Sequence, residues 1–181
     1  MTATDSGFPV ARGAASGVCA WLGGYLLVYL LTASAVRTST LAQLIASVTG
    51  GDEWRVVGWL FYGAHLSPST VPELFGGETV NLVSAMNDVS ALLVVVPPAL
   101  LFLAGVAVRI GEPRLPTTAA AIHGLAVVLG YLPAALVGLI LLTVDASGLS
   151  AGPTPVSAIG LVGVVYPAAF GPLGALVGNR L

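Results

Sequence analysis

The sequence predicts an all-α membrane protein, a bundle of four full transmembrane helices with one short interfacial or re-entrant helix beside them. Three observations predict it. The 181-residue chain is 56% apolar and only 8% charged, whereas a soluble domain carries about 25% charged residues. Its apolar residues fall in long runs, and a helix needs about 20 such residues to cross the roughly 30 Å hydrocarbon core. No Asp, Glu, Lys or Arg interrupts the four longest runs, and mean hydropathy is +0.97.

Residues 1–12 are small and polar, with Asp5 and Arg12, and form a short tail. A single bundle is expected over 13–181. The first span covers 13–36, ample for one crossing at about 1.5 Å per residue. Arg12, this run and Ala33-Ser34-Ala35 also resemble a secretory leader with its cleavage site, but the run exceeds the usual core of about 7–15 residues. A retained helix is therefore expected. Leu41, Leu44, Ile45 and Val48 recur at helical spacing and suggest a short amphipathic helix. Gly50-Gly51 breaks it, and Asp52 or Glu53 opens the next helix.

Segment 54–66, WRVVGWLFYGAHL, is strongly apolar but too short for a straight crossing: 13 residues reach about 20 Å. Arg55, Tyr62 and His65 share one helical face with Gly58. Trp54, Trp59 and Tyr62 are residue types that favour the membrane interface. These features predict an interfacial or re-entrant helix; a tilted fifth span is the alternative. Residues 67–88, with Glu73, Glu78 and Asp88 and no basic residue, form an acidic outer loop whose end is helical in spacing at Leu82, Val83, Met86 and Val89. The remaining spans are expected over 89–108, 117–144 and 155–177, separated by the basic turn 109–116 and a Gly/Ser/Pro loop.

All six basic residues are arginine, and the net charge is −2. Four crossings place Arg12, Arg109, Arg114 and Arg180 on one side, and Arg37 and Arg55 with most acids on the other. The positive-inside rule then puts both termini in the cytoplasm of a multi-pass plasma-membrane protein. A fifth crossing would move Arg12 outside and spoil the agreement. So few cations exclude nucleic acid as a partner. The lone Cys19 forms no internal disulfide and reads as a packed side chain.

Proline is the clearest candidate for function. Pro97-Pro98, Pro133 and Pro167 are expected near the centres of three spans, and kinks at one depth would shape a cavity or gate. Proline is also simply commoner in membrane helices, which is the structural reading. Gly13 with Gly17, Ala120 with Gly124, and Gly174 with Gly178 are small pairs at four-residue spacing, which let helices approach closely. His123 is expected well inside the third span, a functional candidate by depth or else a histidine hydrogen-bonded to a neighbouring helix. Arg55, Tyr62 and His65 are expected either to line a vestibule or bind anionic headgroups, or to form the solvated face of an interfacial helix. His65 and His123 alone make no metal site, and no cofactor is expected.

No carboxylate lies inside a span to carry protons or ions, and neither H-E-x-x-H nor a Walker glycine loop is present. The chain is not expected to be an enzyme. Two readings follow. One is a small oligomeric transporter or channel-like protein whose axis would have to be lined by His123 with Thr117, Thr118 or Asn81. The other is a non-catalytic accessory or scaffold subunit of a larger membrane complex, with the bilayer and either a homo-oligomer or another membrane protein as partners.

The lysine-free composition and the block Trp54–Leu66 resemble a family of small polytopic membrane proteins of haloarchaea. That resemblance implies a helical bundle and a function sometimes loosely labelled transport. It brings no functional residues.

Overall fold

The computed structural model describes residues 7–49, 52–71, 79–146 and 149–181. Asp5, the Gly50-Gly51 break, Glu73 and Glu78 lie outside the described residues.

Among the described residues, four helices are long and apolar enough to cross a membrane: Val10–Thr38, Ala91–Arg109, Thr117–Leu142 and Pro155–Gly178. The first is helix α1. A one-residue break at Ser39, whose amide donates to Ala35 O at 2.9 Å, leads into the short helix α2, Thr40–Thr49. Helix α3, Glu53–Ala64, follows, and α4, Leu82–Ala85, is a single turn capped by the Asn81 side chain.

The second long helix opens with a 3₁₀ turn, 91–95, capped by Ser90, and continues as α5, Val96–Arg109. Pro97-Pro98 therefore occupies the first turn of α5, at the junction where the 3₁₀ turn passes into the α-helix. Pro97 is the seventh residue of the 19-residue long helix, and the pair marks the change of winding within it. The third long helix is α6, Thr117–Gly124, a 3₁₀ turn and α7, Val128–Leu142, with Pro133 inside α7. The fourth joins α8, Pro155–Ser157, a π-helical stretch 158–165 and α9, Tyr166–Gly178. Pro167 sits in the first turn of α9, directly after the π-helical stretch, so the looser winding precedes the residue that cannot donate.

The four long helices run up and down, so the bundle has two ends. At one, the arginine end, Arg12 pairs with Glu112 and donates to Ala107 O at 2.9 Å. At the other lies a small antiparallel sheet that the sequence reading did not foresee. Strands β1, Ser69–Thr70, β2, Thr79–Val80, β3, Val144–Ala146, and β4, Leu149–Pro153, are ordered β2-β1-β4-β3. Ser69 pairs with Val80 on one side and Pro153 on the other, which staples the segment after α3 to the start of the fourth long helix.

The small pairs of the sequence all lie at helix crossings within the chain. A Cβ on Gly13 or Gly17 would strike the backbone of residues 126–131, and one on Gly174 or Gly178 the backbone of residues 102–106. Gly124 meets Gly171 and Pro172 in the same way. Small residues at such crossings let helices approach closely enough to pack backbone against backbone.

Candidate functional site

From Val56 onward helix α3 is apolar all round, and residues Val56–Ala64 are all buried. Such a helix needs neighbours on every side, and α3 finds them in α1, α7, α4 and the 91–95 turn. It enters from the sheet end. Asp52 occupies its N-cap and accepts from Trp54 Nε1 at 3.0 Å, while Glu53 pairs with Arg37 Nε at 2.8 Å. That guanidinium hydrogen bond holds the Glu53 carboxyl below the usual range.

Three hydrogen bonds then record how far α3 penetrates. Trp59 Nε1 donates to Leu142 O at 2.9 Å, Tyr62 Oη to Ala135 O at 2.5 Å, and Tyr131 Oη meets His65 Nε2 at 2.6 Å. The partners move from the last residue of α7 to mid-length of the third long helix, 11 residues or about 16 Å back along the axis. There α3 stops. Leu66 turns the chain in the left-handed region at φ 61°, and Ser67 returns toward the sheet end, its hydroxyl 2.8 Å from that of Ser157.

His65 lies at this turning point and is fully buried. Its Nδ1 is 2.8 Å from Phe61 O. A carbonyl only accepts, so Nδ1 carries the proton and Nε2 accepts from the Tyr131 hydroxyl. The imidazole is thus a neutral, doubly bonded ring. Phe61 stands edge-on to it at 4.8 Å, and the Tyr166 ring lies 5.0 Å away.

The end of α3 is also closed. Tyr62 O accepts from the amides of His65 and Ser67, and Gly63 O accepts from the Leu66 amide and from Asn81 Nδ2. A half-helix whose terminal carbonyls stay free is a cation site; here the chain's own donors occupy those of Phe61, Tyr62 and Gly63.

A second polar cluster closes the arginine end. Arg109 is 3% exposed, donates to Pro113 O and to Asn179 Oδ1, and points Nη1 at His123 Nδ1 at 3.5 Å. Asn179 also bonds both the amide and the carbonyl of Leu115 at 3.0 Å, so one amide side chain and one guanidinium shape the 109–116 turn.

The sequence-predicted residues therefore do not converge. His123 sits about two turns from the start of its helix, beside Arg109 and the Phe8 ring, and not at mid-depth. His123 is only seven residues into a 26-residue helix, nearer its start than its middle. Tyr62 and His65 form no solvated face, since both are fully buried. Arg55 alone keeps near the surface, over the Trp54 ring at 4.9 Å. The prolines ring no common cavity: Pro133 is exposed in a shallow outer groove with Trp21 and Val137, and Pro167 is buried. Thr117 and Thr118 are exposed at the arginine end, whereas Asn81 belongs to α3's cap at the other.

The sequence reading missed Tyr131, Arg109 and Asn179. A single phenol in an otherwise apolar run was the available signal for Tyr131, since buried Tyr needs a partner. It also passed over Gly148-Leu149-Ser150-Ala151-Gly152, which matches the letters of a nucleophile elbow. That motif needs a strand-to-helix turn. Ser150 instead lies within β4, paired with Asp145 of β3, and Gly148 is outside the described residues. No group of three or more His, Cys, Asp or Glu that could hold a metal exists among the described residues.

The whole chain, residues 1–181, matches the model of a family of unknown function (DUF7978), and the protein belongs to that family. No curated protein and no solved structure matches it.

Proposed function

From membership of a family that brings no activity with it, and from four helices fit to cross a membrane, we propose that this is a multi-pass membrane protein acting as a non-catalytic accessory or scaffold subunit. One observation carries the proposal: the polar groups that α3 brings to mid-bundle are closed upon each other. His65 uses both ring nitrogens within the chain, and the carbonyls of Phe61, Tyr62 and Gly63 in α3's last turn accept from the chain's own donors. A conduit needs polar groups left free to face a ligand or ion. In this reading α3 is a re-entrant helix that plugs the bundle, and the arginine end, with Arg12, Arg109, Arg114 and Arg180, faces the cytoplasm.

A second reading, transport, draws on α3 itself, because half-helices that end at mid-depth mark binding sites in transporters. One experiment separates the two. The tagged protein is extracted gently from its own host, and its native mass and co-purifying chains are determined. A stoichiometric second membrane protein is expected. A homo-oligomer alone, giving flux in liposomes that His65→Leu abolishes, would replace the scaffold reading with transport.

A further inference from the structure

Three cavities follow one another along the seam between α1 and α5. The first, of 290 Å³, lies at the sheet end, between Leu31 and Thr32 of α1 and the 88–96 segment. It shares Leu92 and Val96 with a second of 390 Å³, and the second shares Leu100 with a third of 240 Å³ that reaches Ser16 and Ala107. From Thr32 to Ser16 the furrow follows 16 residues of α1, about 24 Å. One leaflet of a roughly 30 Å hydrocarbon core supplies about half that core's thickness. The furrow is longer, so its full occupant reaches past the midplane. It is also a crease between two packed helices, which admits a flexible chain and not a third helix.

The chemistry changes along this length. The inner stretch is lined by aliphatic side chains such as Leu27, Val95 and Leu100. Polar groups gather at the sheet end. Among the described residues, Asp88 is the one charged side chain lining the three cavities. It makes no hydrogen bond or ion pair among the described residues. Beside it, Ser90 Oγ accepts from the Leu92 amide at 3.2 Å and keeps a second lone pair to accept. Thr32 Oγ1 donates to Val28 O at 2.7 Å and keeps its lone pairs to accept. A head carrying several N–H donors and a positive charge complements these three groups. A carboxylate or phosphate head would instead meet the charge of Asp88.

We propose that the α1–α5 seam binds a long-chain amphiphile with a protonated amine head, the head at Asp88, Ser90 and Thr32 and the tail along Leu92, Val96 and Leu100. The site is independent of the scaffold reading, since it uses none of the groups around α3's end.

The test measures the unfolding temperature of the full-length protein in detergent against hexadecylamine, hexadecanol and hexadecanoic acid. The amine is expected to raise it saturably and the acid is not. Asp88→Asn should weaken the apparent affinity for the amine about three- to five-fold, the size of a partly exposed ion pair. Leu92 is 75% exposed, so Leu92→Trp should obstruct the furrow and suppress the amine response without lowering the unliganded unfolding temperature. Equal responses to all three heads would reduce the furrow to ordinary solvation by apolar chains and overturn the proposal. So would an Asp88→Asn protein with the full amine response, or a Leu92→Trp protein that still binds as wild type.

Discussion

The two halves of the bundle are closed by opposite means. Toward the arginine end, helices touch backbone to backbone: Gly105 against Gly171, Gly174 against Phe102, Gly17 against Val127. Toward the sheet end, glycines face side chains instead: Gly24 meets Phe61, Gly58 meets Leu142, and Gly138 meets Trp21 and the Tyr62 hydroxyl. There α3 lies between α1, α7 and the 91–95 turn, and it fills the space with Trp59, Phe61, Tyr62 and His65. The lesson is that four helices of this length form a wedge. One half needs only small residues, whereas the other needs a fifth element, and that element brings polar groups which must find partners inside.

The comparison predicts its own largest effect. Gly174→Leu drives a side chain into the Phe102 carbonyl, which cannot rotate away, and should destabilise the protein by about 3 kcal/mol or more. Gly58→Ala in the other half meets the tip of Leu142, which can turn aside, and should cost about 1 kcal/mol. Denaturant titration of the purified protein, followed by tryptophan fluorescence, ranks the two. Similar costs would break the contrast between rigid and adaptable halves.

The next effect belongs to α3's end. His65→Leu removes the acceptor for Tyr131 and the donor for Phe61 O in a buried site, for about 2–3 kcal/mol. Tyr131→Phe removes one bond and leaves Nε2 unpaired, for about 1–2 kcal/mol. The double variant should cost less than the sum by about 0.5 kcal/mol or more. Strict additivity would mean that the two side chains do not share the bond.

Much of the first half was legible and much of the second was not. The runs of apolar residues fixed the four long helices to within a few residues, and the spaced glycines announced close crossings, because both signals are local and periodic. His65 was misplaced for the opposite reason. Its segment carries Trp, Tyr and Arg like an interfacial helix, and what makes it interior is Tyr131, 66 residues away in sequence. Strands β1 and β2 are two residues each, so no alternation could develop. Pro97-Pro98 coincides with a change from 3₁₀ to α winding, which hydropathy cannot report.

At the arginine end, Arg109→Gln should cost about 2 kcal/mol, since a buried guanidinium gives up bonds to Pro113 O and Asn179. Asn179→Ala should do similar damage, because the same amide holds Leu115. If Arg109→Gln were silent, the 109–116 turn would be held by Asn179 alone, and the stability of this half would rest on its glycines.

The smallest effect tests what seats α3. Arg37 and Glu53 join the end of α1 to the mouth of α3, and both are partly exposed, so water and salt screen the pair. The Glu53 carboxyl is held below its ordinary value in the folded protein, so its contribution is present above the unfolded value of about 4.3 and is lost as pH falls through the lower folded value. Stability of the wild type should therefore drop slightly faster below about pH 5 than that of Arg37→Gln, and high salt should erase the difference. A large loss in Arg37→Gln at neutral pH would reverse the ranking. The plug would then be held at its mouth by an exposed ion pair, and the buried histidine would be a consequence of that seating and not its cause.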